Sequence, residues 1–186
     1  VGRAAVVCAC LFLAFSVVAC GGGHASTGAG EKEADAAVID GALEGELTAV
    51  DAYTRALGSL RGQALLLARR LRGQDQEHVD ALTKAMRGLG AAVEAEAAEL
   101  EGGGGDRTAA LDLAYEQESA ALAYDIGAES RLYTTGPRTL AAALAASHAQ
   151  HLVLLRQALG VPLTAAAPEA LESGDVPPPR EPAEAR

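Results

Sequence analysis

The sequence predicts an all-α protein, a four-helix bundle made of two antiparallel hairpins joined by a long crossover. Three observations predict it. Aromatic residues are 3% of the 186 residues while the apolar classes together reach 49%. A core of Ala, Leu and Val suits close-packed helices and not the β-branched and aromatic faces of a sandwich or barrel. Apolar residues recur at 3/4 spacing through four segments, the period of an amphipathic helix. Six of the seven prolines lie after Val161 and the seventh is Pro137, so the helix interiors are free of the residue that breaks them. A chain of this length holds one ordinary core, hence one domain.

The amino end reads as an address. Arg3 is the sole Lys, Arg, Asp or Glu before Glu31, and the run Ala4 to Phe15 is apolar. Its length is that of a signal-peptide core and falls short of the roughly 20 residues of a spanning helix. The sequence Val17-Val18-Ala19-Cys20-Gly21 follows, and it resembles a bacterial lipobox, in which a small residue precedes the cysteine that is lipidated after cleavage. Residues 1–19 are therefore expected to be a lipoprotein signal peptide and Cys20 the lipidated first residue. Of the three cysteines, Cys8 and Cys10 leave with the signal, so no thiol remains for a disulfide. The expected location is the cell membrane or envelope, with the membrane as partner through a lipid anchor. Residues 20–35 read as the anchor cysteine and a flexible tether, rich in Gly, Ser and Thr and ending in Glu31-Lys32-Glu33.

The helices follow in order. The first, Ala36 to Leu57, carries Ile39, Leu43, Glu46, Val50, Tyr53 and Leu57 on one stripe. The second, Leu60 to Leu89, carries Leu67, Leu71, Asp75, His78, Leu82, Met86 and Leu89. A third spans Arg107 to Tyr133, and a fourth, Arg138 to Leu159, carries Leu140, Leu144, His148, His151, Leu155 and Leu159. Short links near Gly58 and Gly136 make each pair a hairpin. Gly90 to Asp106, with Gly102 to Gly105 inside it, is long enough to cross the bundle, so the second and third helices run parallel. The acidic stretch Glu94 to Glu101 reads as the exposed face of that crossover. Residues 161–186, with Pro177-Pro178-Pro179, form a Pro-rich tail that is not helical throughout.

A formal charge of -10 repels polyphosphates, which excludes nucleic acid as a partner and keeps the domain off an anionic bilayer except through its lipid. A protein partner is not legible, and the bundle class also admits a homo-oligomer. No Ser or Cys sits beside a His in a glycine-rich elbow. Ser147, next to His148, points about 100° away on a helix, so a nucleophilic hydrolase is excluded and no catalytic residue is assigned.

The chemistry lies where polar residues interrupt the stripes: Glu46 on the first helix, Asp75 and His78 on the second, His148 and His151 on the fourth. An i, i+3 pair puts two side chains on one helical face, within reach of one metal pair. Such groups left unpaired in an apolar core are costly, so either metal or a hydrogen-bonded network that marks helix register satisfies them. In either case His78 and His151 are expected within roughly 15 Å of one another in a bundle core. Glu77 and His24 read as solvated.

Glu46 is followed by Tyr53 seven residues on, then by Asp75-Gln76-Glu77-His78. In the second half Gln117 is followed by Tyr124 seven on, then by His148-Ala149-Gln150-His151. This doubled pattern resembles the bacterial exported ferritin-like domain family of the ferritin-like superfamily. The stretch from Ala158 to Glu172 is similar to the tail that follows the last helix in that family, and the likeness covers Ala36 to about Gly174. The resemblance implies a ferritin-like four-helix bundle and a metal site at Glu46, Asp75, His78, Glu118, His148 and His151, with Tyr53 and Tyr124 beside it or packed in the core. A diiron site of the family would show four Glu and two His, whereas the matching positions here read Glu46, Asp75, His78, Gln117, His148 and His151. Glu118 keeps the stripe Leu111, Tyr115, Glu118, Leu122, Ile126 and competes with Gln117 for the inward place. Three His with two or three carboxylates suit Zn, Cu or a single Fe better than a symmetric iron pair. The lost anions favour a degenerate site in a non-catalytic envelope binding or scaffold module. The alternative is a metal-binding protein, of Fe, Zn or Cu, in oxidation, metal handling or stress protection.

Overall fold

A computed structural model of the chain describes residues 24–102 and 105–161, with side chains from Gly28 onward. The expected signal peptide, Cys20 and the Pro-rich tail from residue 162 lie outside the described residues. Among those described there are four helices and no strand: α1 (His24–Ala56), α2 (Gly62–Leu89), α3 (Arg107–Glu129) and α4 (Thr135–Leu159). No helix among them is long and apolar enough to cross a membrane.

Local chemistry explains the boundaries. The α2 helix stops at Gly90, whose φ of 78° is the left-handed conformation that glycine adopts without a Cβ clash. The Gly90 N–H donates to the Arg87 carbonyl and the Ala91 N–H to that of Met86, which satisfies carbonyls the helix end leaves open. The Asp106 side chain caps α3 by accepting from the Thr108 and Ala109 N–H groups. Pro137 sits in the first turn of α4, where no helical N–H is lost.

The first helix differs from expectation. It begins at His24, so the part of the supposed tether from His24 to Asp35 is helical. A tertiary contact that composition does not reveal fixes the end of that stretch. Asp35 is fully buried and accepts from the Tyr133 N–H (2.6 Å), the Thr134 N–H (3.0 Å) and the Thr134 hydroxyl. One carboxylate thereby ties α1 to the turn between α3 and α4. The third helix ends at Glu129, short of the expected Tyr133, because the following residues form that turn.

Helix α1 packs on α2 and on α3, α3 packs on α4, and α2 meets α4 more lightly. One apolar cluster joins Ile39, Leu43, Leu82, Met86, Leu132 and Leu144 at one end of the bundle. Another joins Tyr53, Leu60, Leu71, Leu111 and Leu155 at the other. These memberships make each hairpin antiparallel and α2 parallel to α3, as the crossover length predicts. The crossover runs along α1. Glu94 and Ala95 donate to Asp40, Ala98 donates to the Thr48 hydroxyl, and Arg55 donates to the Leu100 carbonyl. Its glutamates face solvent.

The contact between α1 and α3 is closest at Gly41. A Cβ there would overlap the Tyr124 hydroxyl and lie 2.8 Å from its Cζ. Tyr124 cannot retreat easily, since its hydroxyl donates to the Val38 carbonyl (2.8 Å) and Arg131 covers its ring at 4.9 Å. Gly41→Ala should therefore lose about 1–3 kcal/mol of stability in urea denaturation. Adding Tyr124→Phe, which removes the nearest atom, should recover part of it. An unaltered urea midpoint for Gly41→Ala would contradict this packing.

Candidate metal centre

Between the two apolar clusters, all four helices turn acids and imidazoles inward. Glu46 comes from α1, Asp75 and His78 from α2, Glu118 and Asp125 from α3, and His148 and His151 from α4. Six of the seven are at most 2% exposed, and the His78 side chain, at 15%, is the most open. The 3.6-residue period explains the convergence. Residues three apart on α2 and on α4, and seven apart on α3, return to one face of their helix within two turns of one another.

His148 lies at the centre. Its Nδ1 is 2.7 Å from Glu118 Oε2, and its Nε2 is 2.9 Å from Glu46 Oε1 and 3.5 Å from Asp125 Oδ2. His151 Nδ1 is 2.9 Å from Glu118 Oε1 and 3.4 Å from Asp75 Oδ1, while its Nε2 lies 3.4 Å from the Ser147 hydroxyl. His78 Nδ1 is 3.1 Å from Glu46 Oε1 and 3.8 Å from Asp75 Oδ1. The His78 and His151 rings are nearly parallel, 6.0 Å apart, and the His148 ring stands edge-on to both. Tyr53 closes one side by donating to Glu118 Oε1 at 2.6 Å.

The electrostatics follow from burial and proximity. Burial alone would push Glu118 up, but hydrogen bonds from His148 and His151 overcome it and hold the carboxyl down at about 2. Glu46 is likewise lowered against burial by His148 and His78. Burial would lower the imidazoles, yet Glu118 and Glu46 raise His148 well above its ordinary value, and Asp75 and Glu118 raise His151 to about 9. Asp75 and Asp125 have weaker partners, so burial dominates and lifts them to about 6 and about 8. Burial, with the Glu118 charge next, puts the Tyr53 hydroxyl well above its ordinary value.

Without metal the cluster thus balances itself, imidazolium against carboxylate, but incompletely. Glu46 Oε2, both Asp75 oxygens, Asp125 Oδ2 and His78 Nδ1 are buried without a well-formed hydrogen bond, although His78 Nδ1, Asp75 Oδ1 and Asp125 Oδ2 each have an ionic neighbour at 3.1–3.5 Å. Buried polar atoms are nearly always well bonded, so five incompletely bonded atoms in one place point to a missing partner. Every one is a group that ligates cations. Two sets of ligand atoms lie within 4.8 Å of one another, Asp75, Glu118, His148 and His151 in one and Glu46, His78 and His148 in the other. The residues present therefore fit a metal of imidazole and carboxylate preference. A cavity of about 1200 Å³ between α1, α3 and the crossover reaches Glu46 and Asp125 and offers a way in.

Of the residues singled out from sequence, the structure brings together Glu46, Asp75, His78, Glu118, His148 and His151, with Tyr53 against them. Glu118 faces inward with no exposure while Gln117 is only partly covered and lines the cavity, which resolves their competition. Tyr124 is placed differently. Its hydroxyl goes to the Val38 carbonyl, so it braces α1 against α3 and donates nothing to the cluster. Asp125 was missed. Its signal is the seven-residue step from Glu118, the same step as Glu46 to Tyr53, hidden because Leu122 and Ile126 on either side satisfy an apolar stripe.

The ferritin-like domain family model matches residues 34–161, a span that contains every residue of this cluster. No curated protein and no solved structure gives a significant match.

Proposed function

The chain belongs to the ferritin-like domain family, and from that premise we propose that it is a metal-binding lipoprotein of the cell envelope, its bundle core holding divalent first-row ions. Two convergent sets of buried ligand atoms, five of them incompletely hydrogen-bonded, carry this reading. They also answer the objection that the lost glutamates leave too little charge. With Glu118 and Asp125 inward, the cluster holds four carboxylates, Glu46, Asp75, Glu118 and Asp125, beside three histidines. Three imidazoles favour Zn or Cu over Fe.

The protein's own groups have distinct parts in this. Glu46, Asp75, Glu118, His78, His148 and His151 would hold the metal, and Asp125 adds a carboxylate on the Glu46 side. Tyr53 donates to Glu118 and fixes its orientation, and Ser147 faces the outer nitrogen of His151, the supporting contacts that orient ligands. The apolar clusters close the core at both ends, which leaves the cavity beside α1 and α3 as the way in. A bound ion would supply positive charge to the acids and, if copper or iron, a one-electron couple.

Metal-free protein given Zn(II) or Cu(II) and then desalted should retain the metal and melt at a higher temperature. A ligand at 100 times its Kd contributes about 2.7 kcal/mol. His151→Ala should lose most of the retained metal and of that gain. Protein that retains neither ion and melts unchanged with or without chelator would return the core to a purely structural network in a scaffold or binding module.

The envelope location rests on Val17 to Cys20 and the apolar run before them. Cys20→Ser should move the protein from the membrane fraction to the soluble one, or stall its processing. A mature, membrane-bound Cys20→Ser protein would refute lipid anchoring.

A further inference from the structure

The two ligand sets share one residue, His148, and meet it from opposite sides of its ring. Its Nδ1 faces Glu118, which is also bonded to His151, with Asp75 3.4 Å from His151. Its Nε2 faces Glu46, which lies beside His78, with Asp125 at 3.5 Å. Each imidazole nitrogen has a single in-plane bonding direction, carrying either a proton or a lone pair, and the two directions point apart, so a single ring cannot give both nitrogens to one ion. Each side nevertheless has its own acids and its own second histidine. Of the incompletely bonded atoms, Glu46 Oε2 and Asp125 Oδ2 fall on the Nε2 side, while Asp75 lies between the two, its Oδ1 3.4 Å from His151 Nδ1 and 3.8 Å from His78 Nδ1.

We infer that His148 bridges two metal ions, with Glu46 and His78 completing the site at Nε2 and Asp75, Glu118 and His151 completing the site at Nδ1. This rests on the metal-binding reading above and deepens it, because it names the residue that the two ions share. Binding at both nitrogens displaces the ring N–H protons to solvent, leaving an imidazolate between the two cations. The surrounding carboxylates, Asp125 included, offset the cationic charge.

Cu(II) is the probe, because an imidazolate couples two copper spins. Full-length protein carrying His24→Ala, which removes the histidine outside the cluster, is freed of metal and titrated with Cu(II). Bound copper is counted by elemental analysis and spins by electron paramagnetic resonance. The expected result is two copper ions per chain with an integrated signal well below the copper content. Loading one equivalent of copper and then one of zinc should restore an isolated Cu(II) signal. His148→Gln, which keeps one N–H donor group for a neighbouring glutamate but has no second nitrogen to share, should bind without spin coupling if it melts cooperatively. The wild-type spin count alone decides the matter if that variant does not fold. One ion per chain, or two with full signal intensity, overturns the bridge but leaves metal binding intact. No retained Cu(II) or Zn(II) overturns both.

Discussion

Replacing Glu118 by alanine should destabilise the protein by about 3–5 kcal/mol, the cost of breaking a buried charge pair by removing one partner. Glu118 is fully buried and is the acceptor on which Tyr53, His148 and His151 all converge. Its loss strands a hydroxyl and two imidazoles in a region that water does not reach. Against a usual total of about 5–15 kcal/mol, such a loss brings the bundle close to unfolding. Glu118→Gln keeps an acceptor oxygen but not the charge, so its urea midpoint should fall between those of wild type and Glu118→Ala. Glu77→Ala, on the outer face, should be nearly neutral. If Glu118→Ala melted like wild type, the convergence of partners on Glu118 would be wrong. Glu118→Gln, the milder change, should also lose most of the retained Zn(II), which a structural role alone would not require.

The second large effect is a pair of opposite pH dependences. His148 and His151 hold their protons more tightly folded than unfolded, His151 up to about 9. Their stabilisation is complete below the ordinary histidine value of about 6.5 and is lost as pH rises through the folded values. Asp75 and Asp125, at about 6 and about 8, act in the same direction, since the unfolded chain releases those protons earlier. Glu46 and Glu118 act oppositely, but their contribution is lost only as pH falls below about 4.5. Metal-free protein should therefore lose thermal stability from pH 6.5 to 9. Metal requires the same imidazoles deprotonated, so the gain in melting temperature on adding Zn(II) should grow over that window. Calorimetry with and without Zn(II) at four or five pH values measures both slopes. Parallel slopes would mean that the cluster's protons and the metal do not compete for the same atoms.

Much of this was legible beforehand because it is periodic. Four stripes, two short links and one long one specify a bundle of two hairpins with α2 parallel to α3, and the structure has that arrangement. The i, i+3 pairs on α2 and α4 identified Asp75, His78, His148 and His151 as neighbours, and the His78 and His151 rings lie 6.0 Å apart. The α3 residues were harder. Gln117 and Glu118 differ by about 100° of helical rotation, and in a helix rich in small apolar residues either register leaves a plausible stripe. Asp125 was invisible for the same reason.

What the sequence by itself determined is therefore the number, order and pairing of the helices, and which faces of α1, α2 and α4 carry the acids and histidines. These follow from local rules, 3.6-residue periodicity, capping and loop length, which act along the chain. Tertiary structure decided the rest. It set the rotation of α3 that turns Glu118 and Asp125 inward, and the length of α1, which Asp35 anchors to residues 133 and 134 across the fold. It also sent Tyr124 to the Val38 carbonyl and presented the two nitrogens of His148 to separate acids. Each of these depends on which face of one helix meets another. That choice is made by packing and by pairing buried polar groups between segments distant in the chain, about which the local pattern carries no information.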